Sequence, residues 1–488
     1  MNRTILALFL CLIITACQSP EQTESDKFTL LSKLVDQYAS HTLEKGNIHS
    51  LAVAVYLDGQ VYQNYYGSID QGQNNPPDDQ SLFEIASISK VFVGSLAAKA
   101  VLEKKISLED DIRLYLDGKY ENLQFGDRPI TIKHLLTHTL GFDTPEKIAA
   151  IYQEIFNGSD SGKSIDYDMD DLLEELRSVE VAREPGTAYD YSNVGPEILA
   201  YILQSVYQKS YEELLMAFFA ERGMNHSFLG NKDMPGLVNG YDENGQRANL
   251  DQNPLLGGAG GIFMSLPDLA TFMQFQLESQ DPLIEESTRL LFQDGEDDTG
   301  YFWDLGVGEE EGFYYKKTGS SIGTQSVILI CPDTKYGLII LMNNQSEAAI
   351  NEWATLYGKI EYDLIKYPTI NAWSTIENDF FEAPETVTER YHKLKNDDQY
   401  FASSDYLNRI GYEFIWSEEL PKAIAVFELA VSVDVENANL YDSLGEAYFI
   451  AKQYDKAKRN YEQSLQLNPA NENAQSYLAE IEKILNES

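Results

Sequence analysis

The chain has 488 residues and a mass of 55.1 kDa, with 43% hydrophobic and 12% aromatic residues. That is enough for two or three domains with buried cores, and too apolar for a disordered chain. Against 36 Lys and Arg stand 78 Asp and Glu, a net charge of −42, which argues against nucleic acid because nothing would neutralise the phosphates.

At the N-terminus, Asn2 and Arg3 lead into an apolar run over residues 5–16, shorter than the roughly 20 residues a spanning helix needs. Its end, Ile14-Thr15-Ala16-Cys17, resembles the bacterial lipobox. Residues 1–16 are therefore expected to be a lipoprotein signal peptide, Cys17 the lipid-bearing first residue, and residues 17–27 a polar tether. This expectation puts the protein in a bacterial cell envelope, lipid-anchored at a periplasmic face or the cell surface. Of the three cysteines, too few for a disulfide scaffold, Cys331 lies in an apolar stretch and reads as core filler.

Apolar residues at helical spacing predict a helix over 28–43. Residues 51–57 and 61–66 alternate around Asp58-Gly59 and predict a β-hairpin. Next comes Ser87-Ile88-Ser89-Lys90 at the start of a helical pattern over 91–102. The (i, i+3) spacing lets the lysine amine reach the Ser87 hydroxyl, and a helix N-terminus favours the negative charge of acyl transfer. Ser89 points elsewhere on such a helix. His134 and His138 have the i, i+4 spacing of a metal clamp but lack a third ligand, so a structural role is expected and no metal or other cofactor. Residues 158–164 look like a phosphate loop but are one residue too short and carry Asp160, so that reading is rejected.

Tyr191-Ser192-Asn193 follows a Pro185-Gly186 turn and precedes a helix over 197–206, which places it on a loop. Tyr62, Tyr120 and Tyr406 also begin a Y-x-N and are expected to be packing residues. A phenol is a useless base at neutrality, but beside a lysine ammonium Tyr191 could ionise and take a proton from serine. Lys317-Thr318-Gly319, followed by Ser320, lies on a predicted strand whose edge can accept an extended amide while the lysine holds a carboxylate or shifts a neighbouring pKa. A second hairpin is predicted over 326–331 and 336–342, and a closing helix over 350–365. Strands at both ends with helices between predict one sheet assembled from distant segments, an α+β domain.

Residues 366–400 are polar and Pro-punctuated, and are predicted to be a linker. Beyond them Gly411, Ala423, Phe427 and Ala430 recur as Gly445, Ala457, Tyr461 and Ser464, each 34 residues on. Period and positions resemble the tetratricopeptide repeat, a helix pair packed on small residues, followed by a capping helix over 474–485. The all-α segment 401–488 holds 7 basic and 15 acidic residues, so a protein or peptide partner there would be neutral or basic.

The order S-x-x-K, Y-x-N, K-T-G resembles the serine penicillin-recognising enzymes, in the class C β-lactamase and D-peptidase branch. His134-Leu-Leu-Thr-His138-Thr-Leu-Gly141 and the Gly-rich 258–270 stretch match it too, so the resemblance covers residues 28–365. It implies a β-lactamase/transpeptidase-like fold, an antiparallel sheet flanked by helices with an all-helical subdomain. Ser87 would be the nucleophile, with Lys90 and Tyr191 sharing proton transfer. Asn193 would contact the substrate amide, the N–H groups of Ser87 and Ser320 would form the oxyanion hole, and Lys317 and Thr318 would bind an anionic substrate end. Esterase-like relatives carry His-x-Gly where this chain has Lys317-Thr318-Gly319, which favours an amide or β-lactam. The class A deacylating glutamate motif is absent, so Tyr191 and Lys90 would also serve deacylation. The expected function is a serine hydrolase acting on a β-lactam, D-amino-acid peptide or small ester. The alternative is an inactive scaffold that presents the repeats to a partner.

Overall fold

The computed structural model describes residues 24–156, 166–230, 234–248 and 253–487. The expected signal peptide, Cys17 and the phosphate-loop-like segment 158–164 lie outside the described residues. The chain divides into two compact units: Val35–Ile365, and the described residues through Leu34 together with those from Lys366 on.

The first unit is built on an eight-stranded antiparallel sheet. Its order in space is Gln60–Gly67, Ser50–Leu57, Tyr336–Met342, Thr324–Cys331, Gly312–Ser321, Trp303–Gly308, Asp298–Gly300 and Phe292–Gln293. The two predicted hairpins sit side by side and make up one half of the sheet, with Leu51 opposite Met342 and Leu57 opposite Tyr336. Asp58 and Gly59 take φ of 43° and 87°, the left-handed pair that a two-residue hairpin turn requires. Strands Ser50–Leu57 and Tyr336–Met342 are buried throughout, which explains their unbroken apolar runs. The helix Leu266–Glu278 packs across them.

The helices Ser89–Leu102, Ile132–Leu136, Glu146–Phe156, Met169–Glu175, Val194–Tyr207 and Tyr211–Glu221 lie between the hairpins in sequence. Ser89–Leu102 is buried over most of its length, because its residues are small or apolar on every side. It packs against Val194–Tyr207 and Tyr211–Glu221, with Phe92 at the centre of an aromatic cluster with Phe218, Phe219 and Phe272. A three-stranded sheet of Leu82–Glu84, Ile262–Ser265 and Ser227–Leu229 ties the start of that helix to the Gly-rich segment.

In the second unit the helices Ser404–Trp416, Leu420–Val433, Ala438–Ile450, Tyr454–Leu467 and Glu472–Glu487 form two repeats and a cap, as the 34-residue period predicts. A Cβ at Gly411 would clash with the Phe427 ring, and one at Gly445 would stand 3.0 Å from the Tyr461 ring, so each glycine lets its helix pair close. Residues 366–400 are not a linker. They contain the strand Ile370–Asn371, paired in parallel with Tyr400–Phe401, and the helices Glu377–Phe380 and Pro384–Leu394. Trp373, Phe380 and Tyr391 are buried, and Phe381 packs edge-on against Phe414. The polar average of the segment hides these few aromatics, each of which removes large apolar area from water. The first described helix, Glu24–Lys45, begins ahead of residue 28, so residues 24–27 are helical where a tether was expected.

Candidate active site

Ser87 sits in a 3-10 turn, Ala86–Ile88, that runs directly into the helix Ser89–Leu102. Ala86 holds φ of +47°, a conformation that costs a non-glycine residue energy and is retained where the surroundings enforce it. Here the enforcement comes from both flanks. Ile85 N–H donates to Ile262 O at 3.0 Å, and Ser326 Oγ donates to Ile85 O at 2.9 Å. Gly319 is required for the same approach, since a Cβ there would clash with Ile85 O and Ser326 Oγ and stand 3.0 Å from Ser87 N. Its part in the site is to let the strand Gly312–Ser321 close on the Ser87 turn. Ser89 is fully buried and accepts a hydrogen bond from Ile262 N–H, so it is structural.

Two side chains meet the Ser87 hydroxyl. Lys90 Nζ stands 2.9 Å from Ser87 Oγ and donates to Ala259 O at 2.7 Å. Tyr191 OH donates to Ser87 Oγ at 2.8 Å. Lys90 is fully buried, and desolvation brings its ammonium down to about 7, although the charges of Glu197 and Asp304 pull the other way. Tyr191 is 44% exposed as a residue, but its hydroxyl end is desolvated against Ser87. That desolvation raises the phenol above its ordinary value, against the lowering effects of the Lys317 charge and the Ser87 hydrogen bond. Burial thus eases loss of the Lys90 proton and opposes ionisation of Tyr191, so of the two groups expected to share proton transfer the amine is the one whose basic form the fold favours.

Ser87 and Tyr191 face a cavity of about 680 Å3. Asn193 lines it from the N-cap position of the helix Val194–Tyr207, and Lys317's neighbours Thr318 and Ser320 line it from the strand Gly312–Ser321. Ser320 Oγ accepts from Gln345 Nε2 at 3.0 Å. Lys317 lines the cavity too, with a carboxylate already beside it. Its buried ammonium is paired with Asp304 at 3.0 Å, a partner with no motif to announce it in sequence.

Two more residues that the motifs do not single out hold the site together. Glu197, fully buried, accepts from Asn253 Nδ2 at 2.8 Å and from the N–H groups of Leu256 and Ala259 at 2.9 Å each. It thereby folds the loop whose Ala259 carbonyl grips Lys90. Burial raises its carboxyl, and these donors counter that rise. His138 lies beneath Tyr191, ring centroids 4.5 Å apart, and its Nδ1 accepts from Ser192 N–H at 3.3 Å. Burial first, then the Lys317 and Lys90 charges, hold it well below its usual range, so it packs as a neutral ring. His134 Nδ1 accepts from Thr131 N–H at 3.0 Å in a helix cap. The other Y-x-N tyrosines are elsewhere: Tyr62 bonds Asp36, and Tyr120 and Tyr406 are buried.

The beta-lactamase family profile matches residues 35–357, and a tetratricopeptide repeat profile matches residues 438–471. Protein flp of Staphylococcus aureus (strain MRSA252) is 26% identical over 332 residues, 64% of this chain and 63% of that protein. A beta-lactamase of Pseudomonas fluorescens is 25% identical over 252 residues, 51% of this chain and 65% of that one. The chain thus spans a little under two thirds of the length of these curated relatives. Among solved structures, a class C beta-lactamase superposes with a TM-score of 0.58 at 22% identity, covering 69% of this chain and 97% of that one. A beta-lactamase/D-alanine carboxypeptidase from Yersinia pestis, complexed with citrate, gives 0.58 at 20% identity over 70% and 99%. The structural likeness establishes the fold.

Proposed function

The chain belongs to the beta-lactamase family, and on that premise we propose that it is a serine hydrolase cleaving an amide or ester through an acyl-enzyme on Ser87. The observation that carries this reading is the Ser87 hydroxyl held between Lys90 Nζ at 2.9 Å and Tyr191 OH at 2.8 Å. The free amine of Lys90 takes the hydroxyl proton as Oγ bonds to the carbonyl carbon. The negative charge that develops on the carbonyl oxygen requires donors, for which the N–H groups of Ser87 and Ser320 are the candidates. As the scissile bond breaks, Tyr191 O–H gives its proton to the leaving atom and is reprotonated from the Lys90 ammonium. Water then adds to the acyl carbon, the same pair relays its proton to Oγ, and the acid product leaves with Ser87 restored. Asn193 and Thr318, both lining the cavity, orient the substrate.

The same reading extends to the rest of the chain. Residues 1–16 act as a lipoprotein signal and Cys17 carries the lipid that holds the enzyme at the cell envelope. The tetratricopeptide repeats dock a protein segment. The hydrolase reading is tested by turnover of activated esters, a D-alanyl peptide and a penicillin by the full chain beside Ser87→Ala and Lys90→Met. It expects turnover of at least one substrate class that both substitutions abolish; turnover that persists in Ser87→Ala would refute it.

A further inference from the structure

The cavity is acidic where the motif leads one to expect a cation. Only 4% of the Lys317 side chain reaches solvent, against 38% of that of Asp304, so an incoming molecule meets the carboxylate. Asp304 Oδ1 holds the Lys317 ammonium, and Oδ2 accepts no hydrogen bond among the described residues. Glu84 and Asp297 line the same cavity, where Lys317 is the single cationic lining residue among those described. Asp297's carboxyl is raised, first by desolvation and then by repulsion from Asp294, Glu296, Asp304 and Asp298. The mouth therefore carries a local negative field of its own.

Asp304 is a built feature. Pairing between Trp303–Gly308 and Gly312–Ser321 starts at Asp304 opposite Lys316, and no described strand covers the edge of 317–321 beyond it. Asp304 thus stands at the end of an open strand edge along which an extended substrate can lie. Ahead of it Tyr301 and Phe302 both adopt left-handed φ, 52° and 69°, and both are fully buried. The Tyr301 carbonyl occupies the space that a Cβ on Gly94 would need, and Phe302 N–H donates to Leu136 O at 3.1 Å. The helix that follows Ser87 thereby holds the turn that delivers Asp304.

We infer that the substrate carries an ammonium group beside its scissile bond, and that Asp304, with Asp297 at the mouth, receives it. A carboxylate in that position meets like charge at Asp304, whereas an ammonium completes a charge-assisted hydrogen bond. The inference rests on the hydrolase reading and narrows it.

The test uses thioesters of matched length that carry an ammonium, a methyl or a carboxylate, placed in one set on the acyl half and in another on the thiol half. Thiol release is followed on the full chain, on Asp304→Asn and on Asp297→Asn, at low and high salt. The expected result, in one of the two sets, is a kcat/KM for ammonium over methyl of about tenfold or more, the size of a charge-assisted hydrogen bond, with carboxylate lowest. Asp304→Asn should bring that ratio to within about twofold of unity, and Asp297→Asn should lower it less, since it lies off the Lys317 pair. Should Asp304→Asn fail to fold, Asp297→Asn and the carboxylate-to-methyl ratio of the native chain still decide the matter. A preference that vanishes at high salt and survives Asp304→Asn would assign it to the overall charge and overturn the inference. Equal rates in both sets, with Ser87-dependent turnover intact, would overturn it and leave the hydrolase reading standing. No turnover of any thioester, together with no acyl label on Ser87, would sink both.

Discussion

Lys90 should make the folded chain less stable at neutral pH than it would be without the amine. In the unfolded chain its ammonium keeps its proton up to the ordinary 10.5, but in the fold burial releases that proton above about 7. Between these values the unfolded state binds one more proton than the folded one, so stability rises with pH by about 1.4 kcal/mol per pH unit. Below about 7 both states are protonated and the full cost is present; above 10.5 it is gone. The gap is worth on the order of 5 kcal/mol at 1.36 kcal/mol per unit. Lys90→Met removes this dependence, while leaving Ala259 O without its donor costs about 1–3 kcal/mol that does not vary with pH. Urea unfolding of both full chains from pH 6.5 to 9.5, followed at tryptophan, should give stabilities whose difference climbs by about 1.4 kcal/mol per unit in favour of the native chain. Parallel curves across that window would show that Lys90 is an ordinary ammonium and would remove it as the base.

Three further outcomes follow from the same geometry. The kcat/KM of any cleaved ester should rise as pH passes through about 7, where Lys90 loses its proton, and Glu197→Gln should move that limb to lower pH, because the Glu197 charge raises Lys90; an unmoved limb would remove Glu197 from the electrostatics of the base. Tyr191→Phe should lower kcat by about 10²–10⁴-fold through loss of the proton donor, with little change in melting temperature because the ring keeps its packing on His138; an unchanged kcat would assign that proton elsewhere. Gly319→Ala should cost about 1–3 kcal/mol of stability and most of the activity, since the strand must retreat from Ile85 O and the Ser87 turn. Unaltered turnover in that variant would mean that the close approach is not needed.

What the sequence makes legible is what local chemistry dictates. The Asp58-Gly59 turn and its flanking apolar runs specify a hairpin, and the 34-residue recurrence of Gly411 and Gly445 specifies helix pairs, because each signal is contained in a short window. Ser87 and Lys90 are one turn apart, so their contact is also local. Tyr191 and Lys317 are recognisable through motifs, yet the states of these groups are not, because protonation depends on burial created by the whole fold. Burial lowers Lys90 and raises Tyr191, a division between the two partners that neither motif carries. Asp304 and Glu197 escape sequence reading altogether: each is a lone acid in an unremarked stretch, brought to the site by a strained turn or a helix. Residues 366–400 misled through averaging, since Trp373, Phe380 and Tyr391 decide their fold and polar residues decide their composition.

The central claim is that Ser87 is the nucleophile of an acyl-transfer site. It is tested most directly by treating the full chain with a neutral fluorophosphonate and mapping the modified peptide by mass spectrometry. The account predicts a single adduct on Ser87, slowed in Lys90→Met and absent in Ser87→Ala. A native chain that remains unmodified, or an adduct on any other residue, would contradict it.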